Sequence, residues 1–236
     1  MFRVMGGRAA ATVVALLAMG LTEAAQAAPI TGTPGDDRVR GTREADVIDA
    51  RAGDDRVGAR RGPDTVTAGD GLDRVWGGPG ADRLFGGIGN DRLWGGWGAD
   101  LSWGEAGDDI LGGHGNDRQY GGPGNDTIYA ARGRDESWGE DGDDTLFALA
   151  RRDVHGPNDA RGDVLHGGPG DDTFKTRDGE ADVVDCGPGI DTALIDFRDV
   201  LANPAECEVV NRARRPEAGE ERRERVDPRE DVGRAA

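Results

Sequence analysis

One aspartate register runs through about half of this chain. From Gly32 to Phe147 the sequence divides into thirteen consecutive units, nine residues long except for one of eight. They include GTPGDDRVR, GGPGADRLF, GGIGNDRLW, GGWGADLSW, the shorter GEAGDDIL, and GGPGNDTIY. The sixth position is aspartate in all thirteen: Asp37, Asp46, Asp55, Asp64, Asp73, Asp82, Asp91, Asp100, Asp109, Asp117, Asp126, Asp135 and Asp144. The fourth is glycine in twelve, Glu44 being the exception, and the eighth is apolar in ten, the exceptions being Ser102, Gln119 and Ser137. A unit this short cannot bury its own apolar residue, so it must stack on copies of itself.

Charge and composition agree with a stacked, thin-cored body. Glycine supplies 41 of 236 residues, the apolar share is 36% and the aromatic share 5%, without a collagen triplet. The formal net charge is −17. Residues 28–211 carry 38 acids against 19 bases, while residues 212–236 hold eight Arg and seven acids. Such a body is no basic nucleic-acid surface. Its regularly spaced acids suit cation binding better than a merely solvated face. The two serines, Ser102 and Ser137, both lie inside repeats. No nucleophile and base stand together outside them, so no enzyme is expected.

The ends have their own signatures. Arg3 and Arg8 precede the apolar run 9–21, and Ala25-Gln26-Ala27 fits a small-x-small cleavage rule. This predicts a signal peptide over 1–27, with Ala28 first in the mature chain, and hence a secreted, extracellular protein. The run is too short for a membrane span. Residues 148–161 break the phase and read as a loop insertion. The pattern returns at Asp163 and Asp172 and, more loosely, at Asp182 and Asp191, so 162–211 read as degenerate repeats and an end cap. Cys186 and Cys207, the only cysteines, are expected to form a disulfide tying that cap to the last coil. Residues 212–236 read as a disordered charged tail. His114, His155 and His166 read as scattered surface turn residues rather than ligands.

The units resemble the G-G-x-G-x-D-x-U-x nonapeptide of the hemolysin-type calcium-binding, or RTX, repeat family. The resemblance covers 28–147 and is strongest over 77–147. It implies an all-β fold, a parallel β-roll (a β-solenoid) in which two nonapeptides make one coil, with several Ca²⁺ ions in the turns between stacked coils. The residues themselves accommodate that. Positions seven to nine make a short strand with residue eight inward, positions one to six make a turn, and glycines at one, two and four can take positive φ. Alternate units feed opposite sheets. Aspartates 18 positions apart, or 17 across the short unit, are then stacked: Asp82 with Asp100, Asp91 with Asp109, Asp100 with Asp117, Asp109 with Asp126, Asp117 with Asp135, and Asp126 with Asp144. Carboxylates so close repel unless a hard divalent cation lies between them, with turn carbonyls completing an all-oxygen shell that suits Ca²⁺.

The expected metal-site residues are therefore Asp82, Asp91, Asp100, Asp109, Asp117, Asp126, Asp135, Asp144 and Asp172. With them go the glycines of positions two and four: Gly78, Gly80, Gly87, Gly89, Gly96, Gly98, Gly113, Gly115, Gly122 and Gly124. The first five units replace Gly-Gly by Gly-Thr, Ala-Arg or Ala-Gly and are expected to be coils with weak or absent calcium. The site suggests a secreted protein that folds, or is stabilised, on binding Ca²⁺. A second reading is an extracellular adhesin. Aromatics at position nine (Trp76, Phe85, Trp94, Trp103, Tyr120, Tyr129, Trp138, Phe147) form two ladders that could meet a glycan or protein partner; cross-strand pairing that stabilises short strands is the favoured account of them. Ser102, Gln119 and Ser137 fall in alternate units and are expected on one inner stripe, pairing with one another or with water.

Overall fold

The computed structural model describes residues 11–14, 29–149 and 162–213. Among these, 21 strands and no helix form two parallel sheets, one of eleven strands and one of ten, with successive strands alternating between them. The eleven-stranded sheet is called sheet I here, the other sheet II. Every pairing joins strands two apart in sequence, as in Val57 with Val75 and Val75 with Leu93, so each coil comprises two nonapeptides. Among the described residues no helix is long and apolar enough to cross a membrane.

The alternation of each strand builds the core. In Arg56–Gly58 and Val47–Asp49 only the central residue is buried. Val39, Val57, Val75, Leu93, Leu111, Ile128, Leu146 and Phe174 of sheet I face Ile48, Val66, Leu84, Leu165 and Val184 of sheet II across one thin interior. Alanines at position one, such as Ala50, Ala59 and Ala68, are fully buried between them. Ser102, Gln119 and Ser137 share one stripe of sheet II, where the Ser137 hydroxyl donates to Gln119 Oε1 at 3.0 Å and the Gln119 amide donates to the Tyr129 carbonyl at 3.3 Å.

Three details depart from the expected unit. Strands in the middle of the roll run for six residues, as in Arg74–Pro79 and Arg83–Ile88, so positions one to three continue the ladder instead of turning. The glycine at position two, with φ near +113° at Gly78, lets the chain bend while staying in register with Gly96. Position one does not use positive φ. In the units that carry glycine there, a Cβ would fall on the carboxylate of the same unit, as at Gly95 against Asp100, whereas Ala50, Ala59 and Ala68 hold a methyl group at that position. Finally, the missing residue belongs to the next unit's turn. Gly112 pairs with Trp94 and Tyr129 as a ninth-position residue, Gly113 takes position one, and His114 pairs with Trp97 at position three. A deletion within the strand would turn every later side chain to the wrong face, whereas a turn absorbs it as a bulge. Gly113 is therefore not a position-two glycine.

The roll continues across the inserted segment. Glu136 pairs with Val164 and Thr145 with Thr173; residues 150–161 lie outside the described residues. Cys186 and Cys207 are joined by a disulfide with Cα atoms 5.5 Å apart. At this end Arg212 donates to the carbonyls of Asp196 and Asp199, and Arg177 donates to Asn211. At the other end Ala11–Val14, within the expected leader, pairs with Asp37–Arg40 on the open edge of sheet I. The expected charged tail beyond residue 213 and His155 lie outside the described residues. His166 is no turn residue: it ends a strand of sheet II and stacks on Trp138 at 5.4 Å.

Candidate metal centre

The sixth-position aspartates form two continuous ladders, one at each junction between the sheets, and all are buried. Each ends a turn and starts a strand. Its carbonyl accepts the position-seven N–H of the following coil, as Asp55 does from Arg74 at 3.0 Å. Its own N–H donates to the Oδ1 of the next aspartate in the ladder, at 2.7–2.9 Å from Asp37 to Asp191. One ladder contains Asp82, Asp100, Asp117 and Asp135, the other Asp91, Asp109, Asp126, Asp144 and Asp172. The six stackings expected from the repeat length are all present. One oxygen of each carboxylate from Asp55 onward thus stabilises a buried backbone N–H of the preceding coil.

The other oxygen has no such task. Oδ2 of Asp55, Asp64, Asp73, Asp82, Asp91, Asp100, Asp109, Asp117, Asp126, Asp135, Asp144, Asp172, Asp182 and Asp191 is buried without a hydrogen-bond partner. In the glycine-rich units it lies over the position-one glycine beside the carbonyl of the next coil, as Asp91 Oδ2 and the Gly104 carbonyl do above Gly86. Burial raises the carboxyl pKa values despite the bond from the backbone. Asp82, Asp91, Asp117, Asp126 and Asp172 reach about 7, and Asp109, Asp135 and Asp144 about 8. Repulsion from the ladder neighbours adds to this, for example from Asp126 on Asp109. A desolvated anionic oxygen facing a carbonyl oxygen is a hard-donor cradle. It fits an oxygen-seeking divalent cation, and its lack of Cys or His excludes a zinc-type donor set.

The glycines sort by position. Gly78, Gly87, Gly96 and Gly122 at position two, and Gly89, Gly98, Gly115 and Gly124 at position four, all take φ between +109° and +146°. Gly80 does not, but a Cβ there would strike the Gly62 carbonyl. The glycine-poor units keep the same backbone. Arg51, Arg60, Glu105 and Glu140 stand at position two with φ from +71° to +93°, in a region that costs a side-chain-bearing residue conformational energy.

The first five units divide where the repeat pattern alone showed no boundary. In the first two, Thr33 and Thr42 donate to Oδ2 from position two: the Thr42 N–H donates to Asp46 Oδ2 at 2.6 Å and its hydroxyl to both oxygens at 3.1 Å, whereas Asp37, at the start of its ladder, keeps a partnerless Oδ1. Asp55, Asp64 and Asp73 of the next three keep the partnerless oxygen, with pKa values of about 7, 6 and 6 through burial. Expected site residues had not included Asp163, Asp182 or Asp191, yet the same ladders run through them, across a separation of 28 between Asp135 and Asp163. Their return to the register was the available signal. Asp199 and Glu208 end the two ladders by accepting from Asp182 and Asp191. Beside Asp182, Asp178 and Glu180 bring carboxylate oxygens within 4.8 Å, and burial together with the charge of Asp178 lifts Asp182 to about 9.

The aromatics stack on one another. Phe85, Trp103, Tyr120, Trp138 and His166 form one column with centroids 4.5–5.6 Å apart and planes within 7° of parallel. Neighbours cover the ring faces in that column, as cross-strand pairing requires.

A family model described as the RTX calcium-binding nonapeptide repeat (4 copies) matches residues 31–66, 59–83, 76–111, 111–146 and 159–193. No curated protein matches the chain.

Proposed function

This chain belongs to the RTX calcium-binding nonapeptide repeat family, and on that premise we propose that it is an exported β-roll whose coils are locked by Ca²⁺ ions. The observation that carries this reading is the row of buried, partnerless aspartate oxygens. Without a cation each is a desolvated charge or a proton acceptor. With one, the repulsion along the ladder becomes attraction. The residues that would hold the ions are Asp55, Asp64, Asp73 and the nine aspartates from Asp82 to Asp172 named from the sequence, together with turn carbonyls of the glycine-rich units. Because unpaired coils cannot stand alone, metal binding is folding free energy. A chain leaving a calcium-poor cytosol would stay loose and fold outside.

The leader pattern and the disulfide support export. N-terminal sequencing of the exported protein should begin at Ala28; retention of residues 1–27 would count against it. Calcium titration by calorimetry, followed in parallel by far-ultraviolet circular dichroism, tests the main reading. The β signal is expected to rise with calcium, to revert with EDTA and to respond weakly to magnesium. Identical spectra with and without calcium would refute it.

A further inference from the structure

The two outer faces differ in charge. Sheet I presents Arg38, Arg56, Arg74 and Arg92 at position seven of successive strands, each directly opposite the next. All four are exposed, as is Arg40 beside them. Among the described residues none of the five side chains has a hydrogen bond or ion pair. No outward-facing residue in the strands of sheet I is acidic. Sheet II is mixed, with Asp49, Glu136 and Asp185 facing out beside Arg83 and Arg118. An acid-free arginine row on a chain of net charge −17 needs a physical account. Like charges directly opposite on neighbouring strands repel, and among the described residues no side-chain ion pair engages these four.

The row borders an open cleft. Position nine runs Arg40, Gly58, Trp76, Trp94, so the missing side chain at Gly58 leaves a gap. The cleft is about 520 Å³ and is lined by Arg38, Arg40, Arg56, Arg60 and Trp76 over Gly58. Trp76 is 47% exposed and, unlike the rings of the sheet II column, has no ring partner among the described residues. Position-seven arginines on successive strands recur at the strand spacing of about 4.8 Å, close to the length of one sugar unit in an extended glycan. Guanidinium forks match carboxylate and sulfate oxygens, and an open indole face packs on a sugar ring.

We propose that this face of sheet I binds an extended acidic polysaccharide, with Arg38, Arg56, Arg74 and Arg92 pairing its carboxylate or sulfate groups and Trp76 stacking on a sugar ring. The site rests on the folded roll, so binding is measured in saturating calcium with circular dichroism as a separate check of folding. Polygalacturonate and dextran sulfate serve as probes for the two anionic groups, with neutral dextran and duplex DNA for comparison. Binding of at least one acidic polysaccharide is expected, weakening with salt. It should weaken about tenfold or more in the combined variant Arg56→Gln, Arg74→Gln, Arg92→Gln, and quenching of tryptophan fluorescence by the ligand should diminish in Trp76→Ala. The variant Arg83→Gln, Arg118→Gln, which removes charge from sheet II, should bind as the parent does. Failure of both acidic probes to bind a roll shown to be folded would overturn the proposal. So would equal binding by the triple variant, or equal binding of dextran or DNA. A chain that shows no calcium-dependent folding but still binds through these arginines would refute the calcium reading and leave this one standing.

Discussion

At the residue scale, one side chain does two jobs with its two oxygens. Oδ1 of each ladder aspartate after the first in its ladder accepts a backbone N–H from the neighbouring coil, a role that asparagine could also fill. Oδ2 needs the negative charge, because only a cation rewards a carboxylate there. Asp109→Asn separates the roles. At alkaline pH in EDTA the variant is expected to be more stable than the parent by about 1 kcal/mol, since a buried partnerless charge is gone. In calcium it should be less stable than the parent and bind with lower affinity. Thermal unfolding in both media reads the crossover; a variant destabilised equally in both would show that Asp109 serves only the backbone. Thr42 illustrates the opposite solution, in which Asp46 is closed by protein groups alone.

At the scale of the element, strand and turn obey different limits. The strand must keep its in-and-out alternation, so its eighth position could be read from the sequence, and Leu84, Leu93 and Leu111 are fully buried as expected. The turn tolerates a missing residue, which is why the short unit's gap moves past Gly112. In the glycine-rich turns, though not in those where Ala50, Ala59 and Ala68 hold position one, the carboxylate already lies where a position-one side chain would be. Gly95→Ala is expected to destabilise the roll by about 1–3 kcal/mol through overpacking against Asp100. Gly35→Ala, at a position with nothing within 4 Å and no positive φ, should leave stability nearly unchanged. Chemical denaturation of the two variants checks the contrast; equal effects would mean that chain flexibility, not the cradle, explains the glycine.

For the whole molecule, the ladders tie stability to pH and to calcium in opposite senses. Burial raises the carboxyl pKa values in the folded chain to about 6 at Asp64 and Asp73 and about 8 at Asp109 and Asp144. The unfolded value is about 3.9. A group with a raised folded pKa stabilises the fold below its unfolded value, and that contribution is lost as pH rises through the folded value. In EDTA, therefore, the melting temperature should fall as pH rises from about 4 to about 8. In calcium the ion replaces the protons. Affinity should then fall on acidification from about 8 to about 6, and binding near neutrality should release protons, read as a dependence of the calorimetric heat on buffer ionisation enthalpy. A melting temperature in EDTA that climbs with pH would contradict this account. The charge of the ladders also makes the cationic face of sheet I the more distinctive, since it is the one outer face with no outward-facing acid in its strands.

The sequence by itself determined the period, the inward position, the two-unit coil and the aspartate stacking, because a nine-residue unit has few ways to bury one apolar residue and must repeat whichever it uses. The Cys186–Cys207 pair was legible for the simpler reason that no other partner exists. Only the tertiary structure decided how the carboxylates divide their oxygens, why Thr33 and Thr42 differ from Arg51 and Arg60, and that Gly113 holds position one. Those depend on which atoms of neighbouring coils meet, and contacts 18 residues apart are fixed by stacking rather than by the local pattern. The arginine row is of the same kind. Along the chain Arg38, Arg56, Arg74 and Arg92 are scattered among acids, and only coiling brings them together on one face.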